Sequence, residues 1–243
     1  MPELFLEIGA EEIPARFMSL ALDYLEKEIP SFLKKNRIQA SEPRVMGSPR
    51  RLVISFDEVD NQQEDIVETH FGPNVKLAYD EKGAPTKSAL GFARGKGIDP
   101  SQLTLEKTPK GEVVCARIEK TGQPTATILN NFFPILISKI PFPKKMRWGN
   151  RETPFVRPLH WIVALFGSKP LNFSYEGIPC TDISRGHRFM HSDFFKVNGM
   201  DDYLKSCEKY FLMIDPVVRK KSIVDQITSL AKEVGGTVEL DPE

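Results

Sequence analysis

The chain changes repeatedly between the residue spacing of helices and that of strands, and this alternation constrains its fold more than any other feature. A strand pattern covers residues 4–8, and apolar residues then recur at helical spacing through residues 15–35. Pro30 lies inside this segment and is expected to kink or divide the helix, because proline cannot donate the helical hydrogen bond. Since helices and strands follow one another irregularly, the sequence predicts an α+β fold with mixed sheets and packed helices.

Later segments continue the mixture. Apolar spacing predicts helices at residues 125–140, 200–208 and 216–234. Strand patterns cover residues 51–59, 159–166, 171–175 and 210–214, and the composition of residues 167–170 favours a hairpin between the second and third of these strands. The acidic residues 60–68 are typical of a surface loop or a polar strand. The chain stops shortly after the helix end at Gly235-Gly236, so we expect it to be a piece of a longer protein with a frayed tail.

Residues 72–122 look like a small unit between two turn-forming positions, Gly72-Pro73 and Gly122. A helix is expected at residues 86–96, followed by strands at 102–107 and 112–119 with a turn at 108–111. Gly95 and Gly97 match a helix end better than a phosphate-binding loop, because their spacing is wrong for the latter. We therefore expect a possible inserted αββ module at residues 72–122, within a main α+β body formed by residues 1–71 and 123–243.

Composition excludes several classes of protein. No apolar run approaches the roughly 20 residues that span a bilayer, and the acidic N-terminal segment is not a secretory signal. Cys115, Cys180 and Cys207 are odd in number and widely spaced, so they predict neither a zinc site nor a disulfide framework. The 4 histidines are scattered and predict no metal site. Three reduced cysteines are expected of a cytoplasmic protein.

The formal net charge is zero, but the charges are unevenly distributed. Residues 1–70 contain 14 acidic against 8 basic side chains, whereas residues 139–221 contain 15 basic against 8 acidic side chains. A neutral protein with a basic half can present a positive face to an anion. Alternatively, the two halves neutralise each other across an internal interface.

Two segments set cations beside aromatic rings, a combination that suits phosphates and unstacked bases. The first follows a proline-rich break, and the second lies about 40 residues later; together they supply Lys144, Lys145, Arg147, Trp148, Arg157, Arg185, His187 and Arg188. We expect the segments to form one face, because a hairpin brings its outer flanks together. They are candidates for binding nucleic acid or a partner protein. The alternative is structural: the arginines pair with Asp182, Asp193 or the acidic N-terminal half, and the indole is buried.

Two further pairs of residues are candidates for chemistry near the N-terminus. Glu11 and Glu12 can coordinate Mg²⁺, accept hydrogen bonds from a partner, or stabilise the start of the following helix. Arg50 and Arg51 can hold phosphate or pair with the acidic N-terminal region. His187 beside an aspartate could serve as an acid–base pair, but no serine or cysteine completes a relay. The sequence therefore predicts no catalytic site.

The order of several short phrases resembles the β subunit of bacterial tetrameric glycyl-tRNA synthetase. The phrases are EIGAEEIP at 7–14, SPRRL at 48–52, GP at 72–73, ARGKG at 93–97, KKMRWG at 144–149, FVRP at 155–158 and RGHRFM at 185–190. Each phrase is weak by itself, but the series is specific and covers nearly all of the chain. Ala10 and Ile13 are mild departures, since the family often carries threonine and leucine there.

The resemblance implies that this chain is the N-terminal portion of a longer subunit, without the family's HD-like helical domain and anticodon-binding domain. It also implies a division of labour in which the α subunit carries the active site and the β subunit binds tRNA. The expected partners are tRNA and the α subunit, in a heterotetramer of two α and two β subunits. ATP and Mg²⁺ belong to the assembled enzyme, and no cofactor is expected in this chain. The competing hypotheses are a phosphate- or nucleotide-handling enzyme that uses Glu11 and Glu12, and a scaffold that binds only the α subunit.

Overall fold

The computed structural model describes residues 1–109 and 111–239, which form two compact units. The first unit contains Met1–Gln62 and the described residues from Pro124 onward, and the second contains Gln63–Gln123. The expected turn at 108–111 includes Lys110, and the expected frayed tail includes residues 240–243. Both of these expectations reach outside the described residues.

Helices and strands interleave along the described chain. The helices are α1 (Ala15–Lys35), α2 (Val75–Ala78), α3 (Lys87–Lys96), α4 (Thr125–Lys139), α5 (Met200–Lys209) and α6 (Pro216–Glu233), with a 3₁₀ turn at Pro100–Gln102. The strands are β1 (Leu4–Ala10), β2 (Pro43–Ser48), β3 (Arg51–Phe56), β4 (Ile66–Asn74), β5 (Thr104–Thr108), β6 (Gly111–Lys120), β7 (Leu159–Phe166), β8 (Lys169–Pro170), β9 (Ser174–Tyr175), β10 (Ile178–Thr181), β11 (Ile183–Arg185) and β12 (Phe194–Lys196). The α+β prediction is confirmed.

A seven-stranded mixed sheet forms the centre of the first unit. Its strand order is β2-β3-β1-β7-β10-β9, and β8 pairs with β7. Neighbouring strands are antiparallel except β7 and β10, which are parallel. The register between β1 and β7 shifts between Gly9 and Ala10, and this irregularity leads the chain out of the sheet into the turn at Glu11.

Both faces of β1 are covered, which explains why its sequence is almost continuously apolar. One face carries Leu4, Leu6 and Ile8 into the main core, where the sheet packs against α1 and α4; these helices contribute Phe17, Ala21, Leu25, Ile29, Leu33, Leu129, Phe133, Leu136 and Ile137. The opposite face carries Phe5 into a smaller core with α5, which contributes Met200, Tyr203 and Cys207. Glu7 lies on this second face and is fully buried.

Pro30 does not divide α1, so that part of the prediction is wrong. The helix continues from Ala15 to Lys35, with Pro30 inside it. Its five buried apolar side chains recur along one face and pack on the sheet. This burial, at roughly 1.5–3 kcal/mol for a large apolar side chain, outweighs the loss of one backbone hydrogen bond.

Two predicted strands differ from the structure. Residues 210–214 follow the end of α5 and are not a strand: Leu212 N donates to Cys207 O at 2.7 Å, and Phe211 adopts a left-handed conformation with φ of 58°. These features are those of a Schellman-type helix end, in which the polypeptide turns sharply. Within residues 171–175, only Ser174–Tyr175 is strand, and it pairs with β10. The predicted hairpin after β7 is formed instead by β8, at Leu165↔Pro170 and Phe166↔Lys169.

The second unit is a three-stranded antiparallel sheet, β4-β6-β5, packed against α3. Its small core contains Ala78, Ala89 and Val114. Gly97 ends α3 in a left-handed conformation with φ of 70°, which confirms the helix-end interpretation. The expected module start at residue 72 lies inside β4. Of the acidic residues 60–68, predicted as a surface loop or a polar strand, residues 66–68 form the start of β4, whose residues alternate between exposed and half-exposed.

Among the described residues, the helices lack the combination of length and apolar character that crossing a membrane requires.

Candidate functional site

Glu11 lies at the centre of a cluster of cations at the end of β1. Its Oε2 is 2.8 Å from His160 Nε2 and 3.6 Å from Arg50 Nη2, and its Oε1 accepts a hydrogen bond from Arg188 Nη1. Backbone bonds fix the turn, since Ala10 N donates to Arg50 O and Glu11 N donates to Pro158 O. A single carboxylate therefore joins β1, the segment before β3, strand β7 and the segment after β11.

The electrostatics of the cluster keep Glu11 ionised. Partial burial raises the pKa of the Glu11 carboxyl, but the hydrogen bond with His160 and the charges of Arg50 and Arg188 outweigh it and leave the pKa below its ordinary value. A carboxylate only accepts hydrogen bonds, so the His160 Nε2 atom is the donor. Within the described residues, no group of three or more His, Cys, Asp or Glu side chains is arranged to hold a metal ion. In this geometry, the Glu11 carboxylate holds the side chains of Arg50, His160 and Arg188 in place.

Arg51 forms a second, deeper ion pair. Its Nε donates to Glu7 Oε1 at 3.0 Å, and the side chains of both residues are almost completely buried. Tyr203 donates its hydroxyl to the same oxygen at 3.0 Å. Arg51 Nη2 also donates to the carbonyls of Arg185 and Gly186, so it ties the second basic segment to the sheet. Arg50 and Arg51 therefore both pair with acids of the N-terminal region, which is one of the two expected roles, and phosphate binding stays a prediction.

Three arginine side chains pack against the ring of Trp161. The guanidinium carbons of Arg50, Arg51 and Arg185 lie 5.8, 5.1 and 5.2 Å from the centre of its ring, within the range of cation–π interactions. A Cβ atom at Gly9 would lie 2.0 Å from the indole, so only glycine permits this packing. Sequence reasoning missed Glu7, Trp161 and Tyr203 as members of the cluster. The sequence signals for this cluster were Glu7 and Gly9, a carboxylate and a glycine inside an otherwise apolar strand.

The second basic segment, residues 185–190, passes from buried to exposed. Arg185 is half-buried and also lies 5.3 Å from the Phe194 ring. His187 Nδ1 accepts hydrogen bonds from the backbone N–H groups of Phe189 and Met190, so its Nε2 carries the ring proton. Arg188 remains 48% exposed despite its bond to Glu11.

This segment forms one wall of a cavity of about 540 Å³, which we call the arginine cavity. Its cationic or hydrogen-bonding lining consists of Ser48, Arg50, Arg51, His187, Arg188 and Arg219, and its apolar lining consists of Pro49, Phe189, Phe211, Leu212 and Met213. Among the described residues that line it, Glu12 is the one acid. The arginine cavity therefore has a polar, positively charged side and an aromatic side.

The first basic segment, residues 144–157, is held in a loop of its own. Met146 and Phe155 exchange backbone hydrogen bonds, Arg147 Nε donates to Glu152 O at 2.9 Å, and Trp148 Nε1 donates to Phe155 O at 2.9 Å. Lys144 is exposed. Lys145 is half-buried, and this burial lowers the pKa of its ammonium group. Trp148 is thus partly structural.

The two basic segments meet neighbouring residues of one turn. Arg157 Nε donates to the Glu12 carbonyl at 3.0 Å, while Arg188 binds the side chain of Glu11. Glu12 lines the arginine cavity, and Pro14 lines a smaller cavity of about 230 Å³ together with Lys144 and Arg157. The turn from Glu11 to Pro14 therefore links the two basic segments. The structure brings Arg50, Arg51, Arg185 and Arg188 together, and it places Arg147 and Trp148 in their own loop.

Comparison with known proteins gives one consistent family. A model of the glycyl-tRNA synthetase beta subunit family matches residues 4–243. The chain is 44% identical to a glycine–tRNA ligase beta subunit of Geotalea uraniireducens (strain Rf4) over 234 residues, which is 96% of this chain and 34% of that protein. It is 45% identical to that of Citrifermentans bemidjiense over 236 residues and 42% identical to that of Syntrophotalea carbinolica over 241 residues. These alignments cover 97% and 99% of this chain, and 34% and 35% of those relatives.

The chain thus spans about a third of the length of the curated relatives it matches. The match extends through both basic segments and through the turn at Glu11. The chain belongs to the glycyl-tRNA synthetase beta subunit family.

Proposed function

We propose that this chain is the N-terminal part of a glycine–tRNA ligase beta subunit, and that it supports charging of tRNA with glycine through tRNA binding and subunit assembly. In this proposal, the adenylate chemistry resides in the α subunit. The whole enzyme is a cytoplasmic heterotetramer that uses ATP and Mg²⁺, and this chain carries no cofactor of its own. The family match over residues 4–243 supports the enzyme assignment.

The excess of cations around one acidic turn carries the tRNA-binding proposal. Arg50 and Arg188 share Glu11, Arg157 binds a carbonyl, and Lys144 is exposed beside it. Hydrogen bonds to carbonyls leave the charge of an arginine uncompensated. A positive surface of this kind attracts a polyanion and releases its counterions on binding.

Helix α6 supports the assembly part of the proposal. Within this helix, none of the residues is buried, although its apolar members include Val217, Val218, Ile223, Ile227 and Leu230. Ile223, Ile227 and Leu230 recur at i, i+4 and i+7 and share one face, whereas Val218 lies on another side of the helix. An exposed apolar stripe of this kind is typical of a surface that contacts another polypeptide. The α subunit is the expected partner.

The alternative of an independent phosphate-handling enzyme needs a carboxylate that is free to bind a metal ion or a proton. Glu11 is instead occupied by two arginines and a histidine, and its pKa is lowered below the ordinary value. We also expect no aminoacylation by this chain alone, because the proposal assigns the adenylate chemistry to the α subunit. The test is to incubate it with glycine, ATP and tRNA, with and without the α subunit; charging in the absence of the α subunit would contradict the proposal.

The tRNA-binding role is tested by measuring the affinity of the chain for tRNA at several KCl concentrations. The combined substitutions Lys144→Ala, Lys145→Ala and Arg188→Gln should weaken binding to all tRNA sequences alike. They should also flatten the salt dependence by about one unit for each lost phosphate contact. The matched control also removes three cations; it replaces the exposed Lys27, Lys34 and Lys205, which lie on α1 and α5 outside both cavities.

Three outcomes would oppose this proposal. If the triple variant loses thermal stability but keeps the salt slope of tRNA binding, the three cations are structural. If its melting temperature and its tRNA affinity both stay unchanged, neither the functional nor the structural role holds. Equal losses in the control variant would show that affinity follows net charge and not this site.

A further inference from the structure

The arginine cavity joins two kinds of lining that suit different parts of one ligand. On one side, Arg188 is 48% exposed, and its guanidinium carries five N–H donors, of which the bond to Glu11 involves Nη1. His187 contributes a further donor, because its Nδ1 is occupied by two backbone N–H groups and its Nε2 carries the proton. On the other side, Phe189 is 83% exposed and Phe211 is 53% exposed. Donors that suit a phosphate thus share one cavity with faces that suit an aromatic ring.

The local charge favours an anion. Four arginines line the arginine cavity, and Arg219 donates to the carbonyls of Gly47 and Met213, which do not neutralise it. The carboxylates that line the cavity or form ion pairs with its arginines are Glu12 in the lining, Glu11 beside Arg50 and Arg188, and Glu7 beside Arg51. The cations outnumber the acids even when all three carboxylates are counted.

The backbone of Phe211 adopts a conformation that is unusual for an aromatic residue. It has φ of 58°, a left-handed conformation that is costly for a bulky side chain and is normally taken by glycine at this position. Its side chain is nevertheless half exposed and lines the cavity. Strain of this kind is often retained where a side chain has a functional role.

The volume of the arginine cavity limits the size of the ligand that it can bind. A volume of about 540 Å³ is within the range of small-ligand pockets and accommodates one nucleotide but not a base-paired helix. Proteins bind unpaired RNA by stacking its bases on exposed aromatic side chains, while cations contact its backbone. Arg188 also lies 5.5 Å from the centre of the Phe189 ring, and this contact orders the ring next to the cationic side.

We infer that the arginine cavity binds an unpaired nucleotide of RNA, with its phosphate at Arg188 and His187 and its base against Phe189 or Phe211. This inference rests on the proposed tRNA-binding function and specifies which part of the RNA enters this site. The site selects single-stranded RNA over a duplex, because a paired base cannot reach the aromatic side.

The experiment compares a labelled single-stranded RNA octamer, the same octamer in a duplex, and intact tRNA, all with the 243-residue chain. The octamer should bind more tightly than its duplex, and 2-aminopurine placed within it should change fluorescence on stacking. Phe189→Ala should weaken octamer binding about tenfold, within the range measured for loss of one base–aromatic stack. It should leave the salt slope unchanged, whereas Arg188→Gln should reduce that slope by about one.

Phe211→Gly separates a binding role from a structural role. Glycine adopts the left-handed conformation without strain, so the melting temperature should stay the same or rise while octamer affinity falls. Phe71→Ala is the matched control, since Phe71 is 58% exposed and lies in the second unit. Its octamer affinity should equal that of the wild type.

Each result supports or overturns the inference. If tRNA binds with strong salt dependence but the octamer binds no better than its duplex, the proposed function stands and the inference fails. Unchanged octamer affinity in both Phe189→Ala and Phe211→Gly would also overturn it. Absence of tRNA binding by the wild-type chain would refute the tRNA-binding role and this inference together.

Discussion

Replacing Gly9 by alanine tests whether the cluster of arginines depends on close packing between β1 and Trp161. The new Cβ atom would lie 2.0 Å from two ring carbons of Trp161 and 2.5 Å from a third, so the nearest contact is about 1.4 Å shorter than an ordinary one. The ring cannot retreat freely, since Arg50, Arg51 and Arg185 pack around it. Overpacking of a buried site typically costs about 1–3 kcal/mol.

A smaller effect of opposite sign accompanies this clash. Alanine loses less backbone entropy on folding than glycine, which favours the variant by about 0.5–1 kcal/mol. Because three ring atoms are too close, we expect the clash to dominate, with a net loss of about 2 kcal/mol. For a protein of this size, the loss corresponds to a decrease in melting temperature of roughly 4–8 °C.

The assay is thermal unfolding followed by circular dichroism. Gly91→Ala is the control, because no atom lies within 4 Å of its added Cβ and the position is inside helix α3, where alanine should stabilise by about 0.5–1 kcal/mol. A melting temperature of Gly9→Ala equal to or above that of the wild type would refute the packing argument. The double variant Gly9→Ala with Trp161→Phe should lose less stability than the sum of the single variants, since the smaller ring leaves room for the methyl group.

Three further predictions concern the buried and half-buried groups. Glu11→Gln should lower the free energy of unfolding by about 1 kcal/mol at pH 7, because the variant loses the ion pairs with Arg50 and Arg188. The loss is small because these pairs are partly exposed. Since the folded pKa of Glu11 lies below its unfolded value, the difference from the wild type should persist above about pH 5 and vanish as the pH falls through the folded pKa; a difference independent of pH down to unfolding would contradict this. Tyr203→Phe should cost about 1–3 kcal/mol in urea unfolding, because the buried Glu7 loses a hydrogen-bond donor, and a cost near zero would show that this bond is not needed. Burial raises the pKa of Cys180 to about 11 and that of Cys207 to about 12, so both thiols should react slowly with a disulfide reagent at pH 8 in the folded protein and quickly in urea. A fast reaction of either thiol without denaturant would argue against the burial.

Local sequence patterns predicted most of the elements, because their signals lie within a few residues of one another. Helix α1, strand β7 and the end of α3 at Gly97 follow from apolar spacing and glycine position. Strand β4 could not be predicted in the same way, since its half-exposed faces produce no apolar alternation. The left-handed Phe211 also escaped prediction, because helix ends of this type normally carry glycine.

The candidate site could be predicted as a list of residue types but not as an arrangement. The sequence by itself determined the α+β class, the two basic segments and the acidic turn, since these depend on residue identity and short-range periodicity. Only the tertiary structure decided that Glu11 holds Arg50 and Arg188, which are 39 and 177 positions away from it in the chain, or that Trp161 supports three arginines. Ion pairs and ring contacts act over a few ångströms in space, and the sheet register that brings such distant residues together is set by burial of both faces of β1.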